Sequence, residues 1–186
     1  MRSSIIAAVA SLATFAVAAP EASFGSKHVA RGGKCMSDSQ AQKVATNFKD
    51  LIATYSDALA NATVAVDFVD YSSSVNTLIN SGCTGPVNLN SATFASRAEF
   101  EVGQGGQPAI PFEQLNLWHT CDTVIIRWRS AQTPEPVTGN IVIEATYAKK
   151  NPSNPWLIQT VYSEFNSGAW LVNLGVFTPS CNATTA

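Results

Sequence analysis

The sequence is poor in the residues and motifs on which most catalytic and nucleotide-binding sites depend. Charged residues make up only 13% of the chain, and only two of its 186 residues are histidines. No G-x-S-x-G motif marks a nucleophilic serine, and no C-x-x-C pair is present. The glycine-rich segment from Gly103 to Gly106 lacks the Lys-Ser/Thr of a phosphate-binding loop. These absences argue against serine hydrolases, thiol redox enzymes and phosphate-loop proteins.

Long apolar runs are also absent after the first 20 residues. The opening segment has Arg2, an apolar run from Ile5 to about Ala19, and a small-x-small ending at Ala16-Val17-Ala18. This run is too short to span a bilayer comfortably and is typical of a secretory signal peptide. The sequence therefore predicts a signal peptide over 1–19, a flexible leader over 20–34, one domain over 35–181 and a short tail over 182–186.

Basic residues are scarce in the predicted domain. After residue 34 the chain keeps seven basic and twelve acidic residues, a formal charge of −5. Affinity for nucleic acid comes largely from Lys and Arg on phosphates. The sequence thus predicts a secreted, extracellular protein with no nucleic-acid partner and no membrane span.

The four cysteines fit an extracellular protein. An even number of cysteines in a secreted chain predicts two disulfides, with three possible pairings left open among Cys35, Cys83, Cys121 and Cys181. Because His119 is the only histidine outside the leader, no metal site is expected. Two glycosylation sequons begin at Asn61 and Asn182.

Hydrophobic periodicity divides the domain into an α part and a β part. Apolar residues at helical spacing predict one long helix from Ser37 to about Asn61, with a capping box at its start. Residues 64–69 fit either a short helix or a strand, and a short helix is predicted over about 96–102, stopped by glycines. From Phe112 to Phe165, alternating residues predict four consecutive antiparallel strands. This order indicates an α+β fold.

Four segments resemble one known superfamily. "FVDYSSSVNTLINSG", "SRAEFEVGQGGQPAIPFEQL", "HTCDTVIIRWRS" and "VYSEFNSGAWLVNLGV" look like a group of secreted fungal proteins with a nuclear transport factor 2-like, or SnoaL-like, domain. The resemblance implies a cone in which N-terminal helices pack on a curved antiparallel sheet. It also implies an apolar pocket at the open end of the cone, and relatives often dimerise through the sheet.

The resemblance suggests two functions for such a pocket. In the first, the protein binds a small apolar molecule or an extracellular component, without a cofactor. The polar and aromatic residues expected at the pocket are Trp118, Tyr147, Glu164, Asn166 and Trp170, with Trp170 closing one wall and Glu164 and Asn166 near the rim.

The alternative function is a cofactor-free isomerase, dehydratase or cyclase. Here His119 would move a proton together with Asp70 or Tyr71, as superfamily enzymes do with an Asp, His or Tyr in the cone. Two structural interpretations stay open beside it. His119 would end a strand near Cys121, and Asp70 would bond to nearby backbone in a turn.

Overall fold

Five helices and five strands form the part of the chain that is described. The structure, a computed structural model, describes residues 34–79 and 88–180. The helices in these ranges are α1 (Asp38–Ala53), α2 (Asp57–Thr63), α3 (Ser73–Ile79), α4 (Arg97–Gly105) and α5 (Ser167–Asn173). The strands are β1 (Val64–Tyr71), β2 (Glu113–His119), β3 (Thr123–Ser130), β4 (Val137–Tyr147) and β5 (Trp156–Phe165). The predicted α+β fold with helices on a curved sheet is confirmed.

The sheet has the strand order β1-β5-β4-β3-β2. Strands β2 to β5 pair with one another as antiparallel neighbours, which confirms the predicted four-strand meander. Strand β1 pairs in parallel with β5, so the sheet is mixed. The sequence pattern of β1 fits either a helix or a strand. The register of β1 shifts between Val64 and Val69, and this shift interrupts the alternation of buried and exposed residues that marks a strand.

The prediction of a single helix from Ser37 to Asn61 is wrong, although its start is confirmed. The Ser37 hydroxyl accepts the Gln40 N–H at 3.4 Å, and the Gln40 side chain accepts the Ser37 N–H at 3.0 Å. The helix ends at Ala53, and Ser56 caps a second helix by accepting the Leu59 N–H at 3.2 Å. The apolar spacing continues across this break, so periodicity alone does not reveal it.

The predicted helix over 96–102 also differs in its end. Helix α4 continues through Gly103 to Gly105, and Gly106 is its C-cap. A side chain at Gly103 would overlap the ring of Phe94, so this glycine serves helix packing rather than helix termination. The predicted start is confirmed, because the Ser96 hydroxyl accepts the Glu99 N–H at 3.2 Å.

The core lies between the helices and one face of the sheet, which we call the helix-covered face. Aromatic rings fill much of it: Phe68 lies 5.2 Å from Phe100, and Phe112 stacks on Trp128 at 4.9 Å between ring centroids. A Cβ atom at Gly139 would lie 2.8 Å from the indole nitrogen of Trp128. Glycine at this position of β4 therefore lets the indole lie against the strand.

One disulfide ties the start of the domain to the sheet. Cys35 is bonded to Cys121, which lies in the turn between β2 and β3. Beside this bond, the Met36 N–H donates to the Cys121 carbonyl at 2.8 Å. One predicted disulfide is thereby confirmed, and it holds the N-terminal end of the domain.

Several sequence predictions concern residues that lie outside the described ranges. These are the signal peptide over 1–19, the leader up to residue 33, Cys83, Cys181, the sequon at Asn182 and the tail over 182–186. Asn61 is described and is exposed on α2, where its side chain donates to the Asp57 carbonyl at 2.8 Å. Within 34–79 and 88–180, no helix has the length and apolar character needed to cross a membrane.

Candidate functional site

Trp118 lies on the face of the sheet opposite to the helices, which we call the open face. Its side chain is 52% exposed. Strand pairing connects it across the sheet with Ile125, Val142, Tyr162 and Tyr71. Trp118 therefore belongs to a row of apolar and aromatic residues on an outer surface, and not to the interior of the cone.

Tyr71 belongs to the same row and is thereby separated from Asp70. Successive residues of a strand point to opposite faces. Asp70 is buried, whereas Tyr71 is exposed and stacks on Tyr162 with 5.5 Å between ring centroids. The two residues do not face a common site.

His119 ends β2 and is held by two acceptors. Its Nε2 lies 3.0 Å from Asp38 Oδ1, and its Nδ1 lies 2.8 Å from the Thr120 carbonyl oxygen. A carboxylate and a carbonyl can only accept, so both ring nitrogens have their best partners when both carry a proton. The hydrogen bond to Asp38 is the largest cause that raises the pKa of His119.

His119 and Asp70 occupy opposite edges of the sheet. Strand pairing leads from His119 through Val124, Ile143 and Val161 to Asp70. Those three intervening side chains are buried, and each of the four steps along the sheet is about 4.8 Å. The structure does not bring the two groups together, and His119 pairs with Asp38 instead.

Asp70 is a buried carboxylic acid near the end of β1. Only 7% of the residue is exposed, and its Oδ1 atom has no hydrogen-bond partner among the described residues. Burial is the main cause that raises the pKa of Asp70 to about 7, and the charge of Glu164 adds to it. The pKa of the carboxyl group thus lies near neutral pH, while its Oδ1 atom is shielded from solvent.

The side chains of Glu164 and Asn166 accept hydrogen bonds from backbone N–H groups at the N-termini of two helices. The Glu164 carboxylate accepts the backbone N–H groups of Ser73 and Ser74, at 2.9 and 3.0 Å, at the start of α3. The Asn166 side chain accepts the Ala169 N–H at 3.0 Å and is the N-cap of α5. Both side chains complete backbone hydrogen bonding at the end of β5.

Tyr147 and Trp170 contact aromatic neighbours. Tyr147 packs edge-on against Trp156 with 5.4 Å between ring centroids, and its hydroxyl accepts from Lys34 Nζ at 3.1 Å. Trp170 lies on α5, 5.3 Å from the ring of Phe165, and packs against the core. Trp170 therefore covers one side of the core, but none of the five residues expected at the pocket lines the cleft described next.

A cleft of about 400 Å³ opens where the end of α1 meets the end of α4. None of its seven lining residues is charged: Ile52, Thr54, Tyr55, Gln104, Gly105, Gln107 and Ala109. The Ile110 N–H donates to the Ile52 carbonyl at 3.4 Å, which joins the segment after α4 to α1 beside the cleft. A cavity of this volume matches the range of small-molecule sites.

Two features prepare the cleft for a ligand. The Tyr55 ring is fixed by a 2.8 Å hydrogen bond from its hydroxyl to Asp57 and by an edge contact with Phe100. Gln104 is buried, yet within the described residues no hydrogen bond engages its side-chain amide. A fixed aromatic ring beside an unengaged amide can hold a molecule that has one apolar face and one polar edge.

A family model for the NTF2-like domain matches residues 34–177. The chain belongs to the NTF2-like domain family. The NTF2-like match spans both the cleft and the complete five-stranded sheet. It agrees with the fold class, since helices packed on a curved mixed sheet characterise this domain.

Three solved structures of bacterial proteins are similar to this NTF2-like chain. A protein of unknown function with a cystatin-like fold from Methylobium petroleophilum has a TM-score of 0.49 and 12% identity, and the match covers 82% of this chain and 85% of that one. A SnoaL-like protein of unknown function from Burkholderia thailandensis has a TM-score of 0.45 and 15% identity, covering 70% and 98%. An NTF2-like protein of unknown function from Pseudomonas putida has a TM-score of 0.46 and 11% identity, covering 68% and 84%. No match was found among curated proteins.

The cleft of this NTF2-like domain was missed by sequence reasoning. Ile52 and Tyr55 follow the apolar stripe of the first helix, so the pattern assigns them to the core. Gln104 and Gln107 belong to a segment rich in glycine and glutamine, which reads as the end of a helix. No local signal links the two segments, because their proximity depends on how α4 packs beside the end of α1.

Among the described residues, no group of three or more His, Cys, Asp or Glu side chains is arranged to hold a metal ion. The cleft offers amide, hydroxyl and aromatic groups, which suit an uncharged organic molecule.

Proposed function

We propose that this NTF2-like domain binds a small uncharged organic molecule in the cleft between α1 and α4, without catalysing a reaction. The observation that carries the proposal is the side-chain amide of Gln104, which lines a cleft of about 400 Å³ and forms no hydrogen bond with the described protein groups. The residue as a whole is buried, but its amide atoms stay accessible from the cleft. A ligand in the cleft can therefore hydrogen-bond this amide directly.

The proposed ligand has an apolar face. Ile52, Tyr55 and Ala109 supply apolar surface, and the amides of Gln104 and Gln107 supply both donors and acceptors. Because no lining residue is charged, an ionic ligand would lose its hydration without gaining a counter-charge. We therefore favour a neutral ligand over an acid or an amine.

We also propose that the protein acts outside the cell. The signal-peptide pattern over residues 1–19 supports export, and the Cys35–Cys121 disulfide suits an oxidising compartment. A ligand in this setting would come from the surroundings of the cell.

The alternative of acid–base catalysis has weaker support. Asp70 has a pKa suited to proton transfer near neutral pH, but its Oδ1 atom is buried and the residue does not line the cleft. His119 and Tyr71, the proposed partners of Asp70, lie at the far edge and on the open face. Binding therefore explains more of the geometry than catalysis does.

A fragment screen observed on the protein by NMR tests the proposal. We expect uncharged aromatic fragments to shift the side-chain NH₂ signals of Gln104 and Gln107. The variant Ala109→Trp should fill the cleft and abolish these shifts. Val102→Trp is the matched control, because Val102 is 82% exposed on α4 and does not line the cleft. Shifts that persist in Ala109→Trp, or that occur elsewhere on the surface, would contradict the proposed site.

A further inference from the structure

The turn that ends α4 holds two amide side chains close together. The Gln107 N–H donates to the Gln104 carbonyl at 3.1 Å, and this bond closes the turn. Residues three apart in one helical turn have Cβ atoms about 5–6 Å apart. Because Gln104 and Gln107 both line the cleft, their amides can reach neighbouring groups of one small molecule.

The Tyr55 ring offers apolar surface that a glycine leaves uncovered. The Tyr55 hydroxyl donates to Asp57 at 2.8 Å, which fixes the orientation of the ring. A Cβ atom at Gly105 would lie 3.3 Å from Cε1 of Tyr55, so a larger residue there would cover part of the ring. Since Tyr55 and Gly105 both line the cleft, a flat molecule that lies over Gly105 can contact the ring.

Much of the cleft wall is accessible to water. Only Gln104 among the lining residues is buried, and four of them are exposed: Thr54, Gly105, Gln107 and Ala109. A bound molecule therefore keeps one side in water. An apolar molecule gains little free energy from such partial burial, whereas a molecule with hydroxyl groups on its outer side keeps their hydration.

We propose that the cleft binds a neutral hexopyranose unit of an extracellular saccharide, stacked by its C–H face on Tyr55 and hydrogen-bonded to Gln104 and Gln107. This inference rests on the function proposed above and names the class of ligand. A pyranose ring with equatorial hydroxyl groups has an apolar C–H face and a rim of hydroxyls. Each amide presents donors and an acceptor, and each hydroxyl does both, so one amide can bind two neighbouring hydroxyls at once.

A third polar group and the local charge narrow the ligand further. The Thr54 hydroxyl donates to the Asp50 carbonyl at 3.3 Å, so its oxygen can still accept from a sugar hydroxyl. The Asp57 carboxylate next to Tyr55 places negative charge beside the cleft. A sugar that carries a carboxylate would be repelled and would find no cation among the lining residues. The cleft should therefore prefer glucose to glucuronic acid.

An NMR titration with two neutral sugars, methyl β-glucoside and cellobiose, tests the ligand class. Both sugars should shift the side-chain NH₂ signals of Gln104 and Gln107 and reach saturation. Methyl β-glucuronide, which carries a carboxylate, should bind about fivefold more weakly than the glucoside. Gly105→Leu should cover the Tyr55 ring and weaken the binding of both neutral sugars by about tenfold or more.

Two further variants control this test. Gly106→Leu is the matched control and should bind the sugars normally, because a Cβ atom there would lie 3.8 Å from its nearest contacts and Gly106 does not line the cleft. Gln107→Leu serves if Gly105→Leu fails to fold, since the Gln107 side chain is exposed and has no hydrogen bond within the described residues. It should weaken sugar binding by about tenfold and leave aromatic fragments bound.

Uncharged aromatic fragments separate this inference from the proposed function. If these fragments shift the two amide signals and neither neutral sugar does, the ligand is not a saccharide, although the cleft still binds a small molecule. If neither class shifts them, both proposals fail. Sugar-induced shifts that are equal in Gly105→Leu and Gly106→Leu, or a glucuronide that binds as tightly as the glucoside, would also overturn the inference.

Discussion

Several polar side chains that the sequence suggests for binding or catalysis instead fix the local structure. Glu164 and Asn166 bind helix starts, and His119 joins the end of β2 to Asp38 at the start of α1. Glu164 and Asn166 satisfy backbone donors that a helix start leaves open, whereas His119 donates to the Asp38 carboxylate and to the Thr120 carbonyl. At the scale of residues, the polar groups of this domain therefore contribute to its architecture before any ligand is considered.

The contact between His119 and Asp38 predicts a pH-dependent contribution to stability. Because the contact raises the pKa of His119 above its unfolded value, its stabilisation is complete below about pH 6.5 and is lost as the pH rises through the folded-state pKa. Asp38→Asn should lower the free energy of unfolding at about pH 5.5 and leave it nearly unchanged at about pH 9. Chemical denaturation at the two pH values measures this difference. Equal losses at both would contradict an ionic role for the contact.

At the scale of elements, the sequence predicts well what depends on neighbouring residues. The sequence predicts helix starts at the Ser37 capping box and near Ser96, and in the structure both serine hydroxyls cap the backbone N–H three residues ahead. The four strands of the meander follow from alternation, because each pairs with its neighbour in sequence. The break at Ser56 follows the same capping rule but was hidden by the continuous apolar stripe.

Contacts between distant segments could not be predicted in this way. Strand β1 pairs with β5, about 90 residues later, and no pattern in either strand specifies that partner. The cleft depends equally on a distant contact, between Tyr55 on one side and Gly105 on the other. Residue types at a site are visible in a sequence, but the faces that they share are set by tertiary packing.

The Cys35–Cys121 bond closes a loop with a sequence separation of 86 residues. A bond of this kind restricts the unfolded chain and stabilises the fold by about 2–4 kcal/mol. Replacing both cysteines by alanine should lower the free energy of unfolding by about that amount, measured by denaturant unfolding, while the fold persists.

The Cys35–Cys121 bond leaves only one possible pairing for the other two cysteines if the predicted second disulfide forms. Mass spectrometry of peptides from unreduced protein should then show Cys83 linked to Cys181. Both residues lie outside the described ranges, so this remains a prediction from the cysteine count. A free thiol at either position would contradict it.

At the scale of the whole molecule, the open face of the sheet carries an apolar row that no described element covers. The row crosses all five strands, and its most exposed members are Trp118, Tyr162 and Tyr71, at 52%, 44% and 40%. Arg127 and Glu164 lie in the adjacent row, one on each side of β4. An exposed apolar surface with flanking charges is typical of a protein–protein contact.

We predict that a second copy of this chain binds the open face. In this arrangement a two-fold axis runs parallel to β4, between the two open faces. It would place Trp118 over the second copy's Tyr71 and Arg127 over its Glu164, so that aromatic rings meet each other and opposite charges pair. Val142, at the centre of the row, would face Val142 of the second copy. Glu144 would likewise face Glu144 of the second copy, and the repulsion between these two carboxylates would limit the affinity. We therefore expect a reversible homodimer.

Charge substitutions at Val142 test this arrangement, because a residue on a two-fold axis contacts the same residue of the other copy. Val142→Asp alone and Val142→Lys alone should each give a monomer by sedimentation, since like charges meet at the axis. An equimolar mixture of the two variants should restore the dimer, because opposite charges then meet there. Val102→Asp, at an exposed position of α4, is the matched control, and this variant should still form the dimer. Recovery of association only in the mixture cannot arise from misfolding of either variant, whereas a mixture that stays monomeric while the unmodified protein dimerises would place the contact elsewhere.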